Sequence, residues 1–238
     1  MAGPSDLADV LEAHRRYLAT DRREGGRADL RGVDLTCMML GAVDLRRARL
    51  ARARLDQADL GGASLEGANL AGASLRGARL NGANLAGARL SGAQLRQADL
   101  TGARAERAEM EFALLAEAVL AEAHLAESDL SGASLAGADL SGADLQRVNL
   151  RGADVQGAKL DKADLRAARL GGTILSGASL RDCDLRGAYL RVAKLDGADL
   201  TGADLRDAIG LSAEQVASAR SDDSTRLPAD LDRGGSDG

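Results

Sequence analysis

From Ala28 to Asp207 the chain repeats one five-residue unit, Ala-Asp/Asn-Leu-Xaa-Gly, without losing phase. Leucine stands at every fifth position from Leu30 through Leu205, replaced only by Ala105, Met110 and Val155. Two residues before each comes a small residue, nearly always alanine, with Val33, Met38, Val43, Ser128, Val148, Thr173 and Cys183 as exceptions. A period of five rules out the two common patterns. Strand faces alternate every two residues, so an odd repeat sends successive leucines to opposite sides. Along a helix, five steps of about 100° rotate each leucine about 140° from the last and smear them around the axis. Each pentad must therefore turn a corner. One short extended side plus one turn per pentad closes the chain into flat coils, which stack with leucine and alanine inside. Glycine at the fifth position, as at Gly62, Gly67, Gly72 and Gly77, suits a corner because it accepts positive φ cheaply.

The triplets Ala68-Asn69-Leu70, Ala138-Asp139-Leu140 and Ala198-Asp199-Leu200 carry the signature A(D/N)LXX. Through them the chain resembles the pentapeptide-repeat proteins over about three quarters of its length. That resemblance implies an all-β solenoid, a right-handed quadrilateral β-helix with four pentads per coil and a solid interior. At that count residues 28–207 make about nine coils, a rod roughly 43 Å long at about 4.8 Å per coil. Asp144, Asp164, Asp184 and Asp204 recur at the same twenty-residue spacing, with Arg166, Arg186 and Arg206 two residues after the last three. Both sets are expected to stack on one face.

The uninterrupted repeat argues for one elongated domain, residues 28–207, between short helical caps: residues 1–27, and residues 208–238 with a disordered tail from Asp230. Leu7, Val10, Leu11, His14 and Leu18 fall on one side of a helix beginning at Ser5 or Asp6, and Gly25-Gly26 ends it. An open solenoid end exposes apolar side chains and unpaired backbone groups, so this helix is expected to lie across it, with His14 as a packing residue. Cys37, Met38 and Met39 are expected to pack beneath it. At the other end Ser212 and Gln215 have the form of a capping box, and a short helix is expected to about Arg220. His14 to Leu35 also looks like the leader, and Gly210 to Pro228 like the tail, that flank the repeats in related bacterial proteins. Two cysteines, Cys37 and Cys183, are too few for a disulfide scaffold. No long apolar run and no basic-then-apolar leader is present, so neither a membrane span nor a secretion signal is supported, and a cytoplasmic protein is expected.

Two stretches depart from the pattern. Arg46, Arg47, Arg49, Arg52 and Arg54 cluster on outward positions, either as solvated surface or as a contact for an acidic partner. With a net charge of −5 and no aromatic interleaving, direct nucleic-acid binding is not expected. From Ala105 to Ser128 glycine vanishes from the corners in favour of Arg107, Phe112, Glu117, Glu122 and Glu127, while outward positions become Leu114, Val119 and His124. Strong helix formers there allow an inserted helix; the retained Met110, Leu115, Leu120 and Leu125 favour a distorted coil. Either way, Phe112, Leu114, Glu117, Val119, Glu122, His124 and Glu127 form the candidate partner surface.

No metal or cofactor site is expected: Glu122, His124 and Glu127 need not converge, and no second histidine is near. The chain offers no catalytic grouping or phosphate loop. One Phe, two Tyr and no Trp argue against a carbohydrate-acting β-helix enzyme. The expected function is a non-enzymatic scaffold that binds a protein partner, with a homodimer through an end or exposed face left open. Resemblance to the quinolone-resistance and toxin-immunity members of the family implies the alternative, a DNA mimic that binds gyrase or topoisomerase IV through an acidic face at Asp144, Asp164, Asp184 and Asp204. Such a mimic needs a continuous negative face. Residues 28–207 hold 25 acidic and 23 basic side chains, and Arg166, Arg186 and Arg206 interrupt the acidic ladder. The topoisomerase-binding relatives also often place Phe at the central position, where this chain has Leu.

Overall fold

Each pentad makes one short extended side and one corner, and parallel bridges join sides twenty residues apart. In a computed structural model describing residues 4–21 and 23–232, Asp29 bridges Arg49, Asp34 bridges Arg54, Met39 bridges Asp59 and Asp44 bridges Ser64. The same four ladders continue along the rod, so twenty residues make one coil of four sides. Taken in chain order, side one carries positions 29, 49, 69 and onward to 209; side two begins at 34, side three at 39 and side four at 44. Each side bridges its neighbours through a single residue, too short for a conventional strand. Past the repeat, Arg220 and Arg226 still bridge Asp199 and Asp204.

The backbone accounting explains the repeat. Around one corner, Leu50 N–H donates to Asn69 O at 2.7 Å, Arg52 to Ala71 at 3.0 Å, Ala53 to Leu50 at 3.0 Å and Arg54 to Val33 at 2.9 Å. One amide per pentad, on the residue after leucine, is left facing outward. Where the second position is Asp or Asn, its side chain accepts that N–H: Gly61 to Asp59 at 3.0 Å, Ala71 to Asn69 at 3.1 Å, Ala86 to Asn84 at 3.1 Å. The preference for Asp or Asn is thus an Asx turn, made at the corners where one of these residues stands.

Corners are left-handed whether or not glycine occupies them. Gly62 has φ 63°, and Arg47, Gln57, Phe112 and Glu117 lie between 57° and 60°. A side chain there costs roughly 1–2 kcal/mol. The stretch 105–128 follows the same rule and is neither an inserted helix nor a distorted coil. Glu109 bridges Arg89 and Asp129, Leu114 bridges Gln94 and Ser134, and the corners at Phe112, Glu117, Glu122 and Glu127 hold φ of 57–60°. The expectation of distortion treated loss of glycine as loss of the corner, but cross-coil hydrogen bonds hold the corner without it.

The leucine positions are buried along the rod, and the small positions beside them leave room for one large side chain per side. Ser128 and Thr173 sit inside because each hydroxyl donates to a leucine carbonyl, Leu125 and Leu150 respectively, both at 2.7 Å. Cys183 is a free buried thiol directed at Leu160 O, and burial pushes its pKa up to about 12.

At the start, helix α1 (Pro4–Ala19) buries Leu7 and His14 against the first coils, and Ala28 N–H donates to His14 Nδ1 at 3.1 Å. Gly25 (φ 78°) allows the chain to turn back, since a Cβ there would lie 2.2 Å from Ala13 O. Of the residues expected beneath the helix, Met38 packs on the core, whereas Cys37 and Met39 are exposed. Cys37 is a corner and Met39 an outward position, so neither can turn inward. Beyond the repeat, helix α2 (Ala213–Ser218) has Ser212 and Gln215 as a reciprocal capping box, and Gln215 Nε2 ties it to Leu190 O and Ala193 O. Helix α3 (Ala229–Asp232) occupies the beginning of the expected tail, and 233–238 lie outside the described residues.

Candidate functional site

The twenty residues from Ala108 to Glu127 make one full coil, so the candidate partner residues encircle the rod. Phe112 stands on the corner between sides one and two and Leu114 on side two. Glu117 takes the next corner and Val119 side three; Glu122, His124 and Glu127 continue over side four to the corner that returns to side one. The expectation of a single seven-residue patch is therefore corrected. The chain turns a corner every five residues, and only neighbours such as Phe112 and Leu114 can meet one partner surface together.

Those two are the exposed apolar pair of the coil. Phe112 is 70% and Leu114 48% exposed, with Val119 at 38% around the next corner. The charged members are braced across coils. Glu117 accepts from Gln97 Nε2 at 2.7 Å and Arg96 Nη2 at 2.5 Å, and those bonds, Gln97 first, hold its carboxyl below the usual range. Glu127 lies between Arg107 at 2.9 Å and Arg147 at 3.5 Å, and Arg107 depresses its pKa most. Glu122, His124 and Glu127 occupy a corner, a side and the next corner, and the described residues contain no group of three potential metal ligands.

This coil lacks both local devices that other coils use. Its four corners carry side chains, and its outward positions Glu109, Leu114, Val119 and His124 include no Asp or Asn to hold the turn amides. Local rules broken without local compensation tend to mark functional surface.

Asp144, Asp164, Asp184 and Asp204 form one continuous ladder on side four. Each accepts the turn amide two residues on, Gln146, Arg166, Arg186 and Arg206 in order, at 3.1 to 3.2 Å. They serve the same Asx turn as elsewhere. Arg166, Arg186 and Arg206 also cap the last three at 2.6, 2.5 and 2.6 Å, and Arg166 reaches on to Asp184 at 3.6 Å. Arg186 and Arg206 hold Asp184 and Asp204 below the usual carboxylate range.

The basic cluster is likewise spread over two sides and two corners. Arg46 pairs with Asp44 at 2.7 Å, Arg49 with Asp29 at 3.6 Å and Arg54 with Asp34 at 3.0 Å. Sequence reasoning did not single out Glu106, which lines an open groove with Glu66 and Glu127 on the corner between sides four and one. The signal was present: steps of twenty place Glu66, Glu106, Arg166, Arg186 and Arg206 in one column. Among the described residues no helix is long and apolar enough to cross a membrane.

A family model described as pentapeptide repeats matches in eight copies that together run over residues 26–209. Similar solved structures include HetL, a pentapeptide repeat protein involved in heterocyst differentiation regulation in the cyanobacterium Nostoc sp. strain PCC 7120. It is 36% identical over 82% of this chain and 90% of its own, with a TM-score of 0.35. Full-length QnrB1, a plasmid-mediated fluoroquinolone resistance protein, is 17% identical over 83% of this chain and 92% of its own, TM-score 0.47. A pentapeptide repeat protein from the Arabidopsis thaliana thylakoid lumen is 32% identical over 47% of this chain and 70% of its own, TM-score 0.35. No curated protein matches.

Proposed function

This chain belongs to the pentapeptide-repeat family, and from that premise we propose that it is a rigid, non-catalytic scaffold that holds a protein partner against Phe112 and Leu114. The observation that carries the reading is the coil 108–127, where four strained corners and four outward positions without a turn-capping carboxylate coincide with an exposed aromatic and an exposed leucine. A packed interior leaves recognition to the outer surface, and the many cross-coil hydrogen bonds fix that surface in advance, so little ordering free energy is lost on binding. Large apolar side chains on such a frame suit the centre of an interface, with Glu117 and Arg96 at its edge. The two free cysteines fit a cytoplasmic setting. The test is capture of partners from the source cell by wild type and by Phe112→Asp/Leu114→Asp. Loss of a specific partner with unchanged melting supports the reading, and identical capture sets overturn it.

The second reading, an acidic mimic that binds gyrase or topoisomerase IV, rests on the Asp144 to Asp204 ladder. Against it, each carboxylate serves a backbone turn and three carry an arginine. A gyrase supercoiling assay with and without a quinolone decides it. Inhibition or drug protection that disappears in Asp164→Asn/Asp184→Asn/Asp204→Asn would place this reading first.

A further inference from the structure

The corner between sides four and one carries an open groove of about 530 Å³, where Glu66, Glu106 and Glu127 stand with Arg104 and Arg107 over a floor of alanine and glycine. Glu106 Oε1 receives Arg104 Nε at 3.4 Å, but Oε2 is shielded from solvent and has no hydrogen-bond partner among the described residues. The Glu106 side chain as a whole is 31% exposed at the groove, and turning its unpaired oxygen outward to a cation there would satisfy it. Further along the same column, in steps of twenty, come Ala126, Gln146 and then Arg166, Arg186 and Arg206. After Arg46, this column runs from acidic Glu66 and Glu106 to basic Arg166, Arg186 and Arg206, with small or neutral residues between, and Arg107 beside it is paired with Glu127.

That arrangement is self-complementary. A two-fold axis perpendicular to the rod, between Ala126 and Gln146, lays a second copy antiparallel on the first. Glu106 then faces Arg166 of the second copy and Glu66 faces its Arg206, and each contact occurs twice because the interface is isologous. The flanking ladders obey the same centre. Glu127 lies opposite Arg147, Glu109 opposite Arg169, and Arg104 opposite Asp164. At the middle Asp129 meets Asn149 and His124 meets Asp144. No like charges oppose each other on these ladders between positions 64 and 209.

We propose that two copies of this chain associate antiparallel along this corner, with Arg166 of each entering the Glu106 groove of the other. The contact from Glu66 to Arg206 runs seven coil spacings, roughly 34 Å at about 4.8 Å each. Its charges are exposed and lie in a narrow strip, so the dimer is concentration-dependent and weakened by salt. It lies away from Phe112 and Leu114, so each rod of the pair still presents that surface, and failure of either idea leaves the other standing.

The experiment is sedimentation velocity at low ionic strength and at about 1 M salt, where the screening length is near 3 Å. Wild type is expected to be a dimer that dissociates at high salt. Glu106→Arg and Arg166→Glu should each be monomeric with wild-type circular dichroism, melting somewhat lower because each sets like charges together within the chain. An equimolar mixture of the two variants should dimerise, because each chain then meets its opposite charge in the other. The double variant Glu106→Arg/Arg166→Glu should dimerise alone. If either single variant fails to fold, Glu106→Gln and Arg166→Gln take their place, each expected to shift the equilibrium towards monomer at least tenfold. A monomeric wild type at low salt, a dimer unmoved by either substitution, or single variants that stay monomeric when mixed would overturn the proposal.

Discussion

The ring of Phe112 lies over Gly132, one coil further along the same corner, so closely that a Cβ on Gly132 would sit 2.6 Å from ring carbon Cε1. The glycine therefore does two things at once: it adopts φ 64° and it leaves space for the ring. Gly132→Ala is expected to lower stability by about 1–3 kcal/mol through combined backbone strain and overpacking. Phe112→Ala in the same chain should recover the overpacking part and leave the strain. Thermal unfolding of the two single variants and the double variant gives that coupling directly.

Val192 is a β-branched residue held at φ 54° and 72% exposed. A left-handed conformation is least favourable for such a side chain, and little packing offsets it. Val192→Gly is expected to stabilise the rod by about 1 kcal/mol, the relief of strain exceeding the added chain entropy of glycine. A fall in melting temperature would mean that the side chain has a packing role its exposure does not suggest.

The turn carboxylates separate charge from geometry. Asp144→Asn keeps an oxygen for the amide of Gln146, as Asn69 does for Ala71, whereas Asp144→Ala leaves that amide to solvent. The Asn variant should match wild type, and the Ala variant should lose about 0.5–1.5 kcal/mol. Equal melting of the two would mean that the Asx bond contributes nothing at this corner.

His14 makes the docking of α1 depend on pH. Burial pushes its pKa below the ordinary 6.5, with Arg27 and Arg46 in the same direction and Asp44 and the Arg46 carbonyl opposed. Nδ1 must stay unprotonated to accept Ala28 N–H. The unfolded chain therefore binds more protons at this residue in the window below 6.5. The stability His14 contributes is complete above that value and is lost as pH falls towards the depressed native value. Protection factors at Gly26 and Ala28, which allow for the intrinsic slowing of exchange in acid, should fall between neutral pH and about 5, and His14→Gln, which can still accept the amide but does not titrate, should remove the dependence. An unchanged slope in that variant would assign the effect to another group.

Much of the architecture is legible in the sequence because the side chains report their direction at each step. Leucine every fifth residue with alanine two before it fixes an inward stripe and a corner per pentad, while the twenty-residue coil was implied by the family resemblance, which the spacing of Asp144, Asp164, Asp184 and Asp204 fits. The corner at Phe112 was less legible, since a corner without glycine looks like a broken one. Only the stacked coils reveal that cross-coil amides hold Phe112, Glu117, Glu122 and Glu127 in the same conformation as Gly62. The candidate site divides in the same way. Its residue types were identified from sequence, but their distribution over four sides, the arginine on each of the last three aspartates, and the facing of Glu106 towards a groove depend on which residues stack. Sequence by itself determined the period, the buried stripe and the places where the pattern fails. Tertiary structure alone decided which of those places are neighbours, because adjacency in a solenoid is set by the closure of the coil, a sum of corner angles that no single pentad contains.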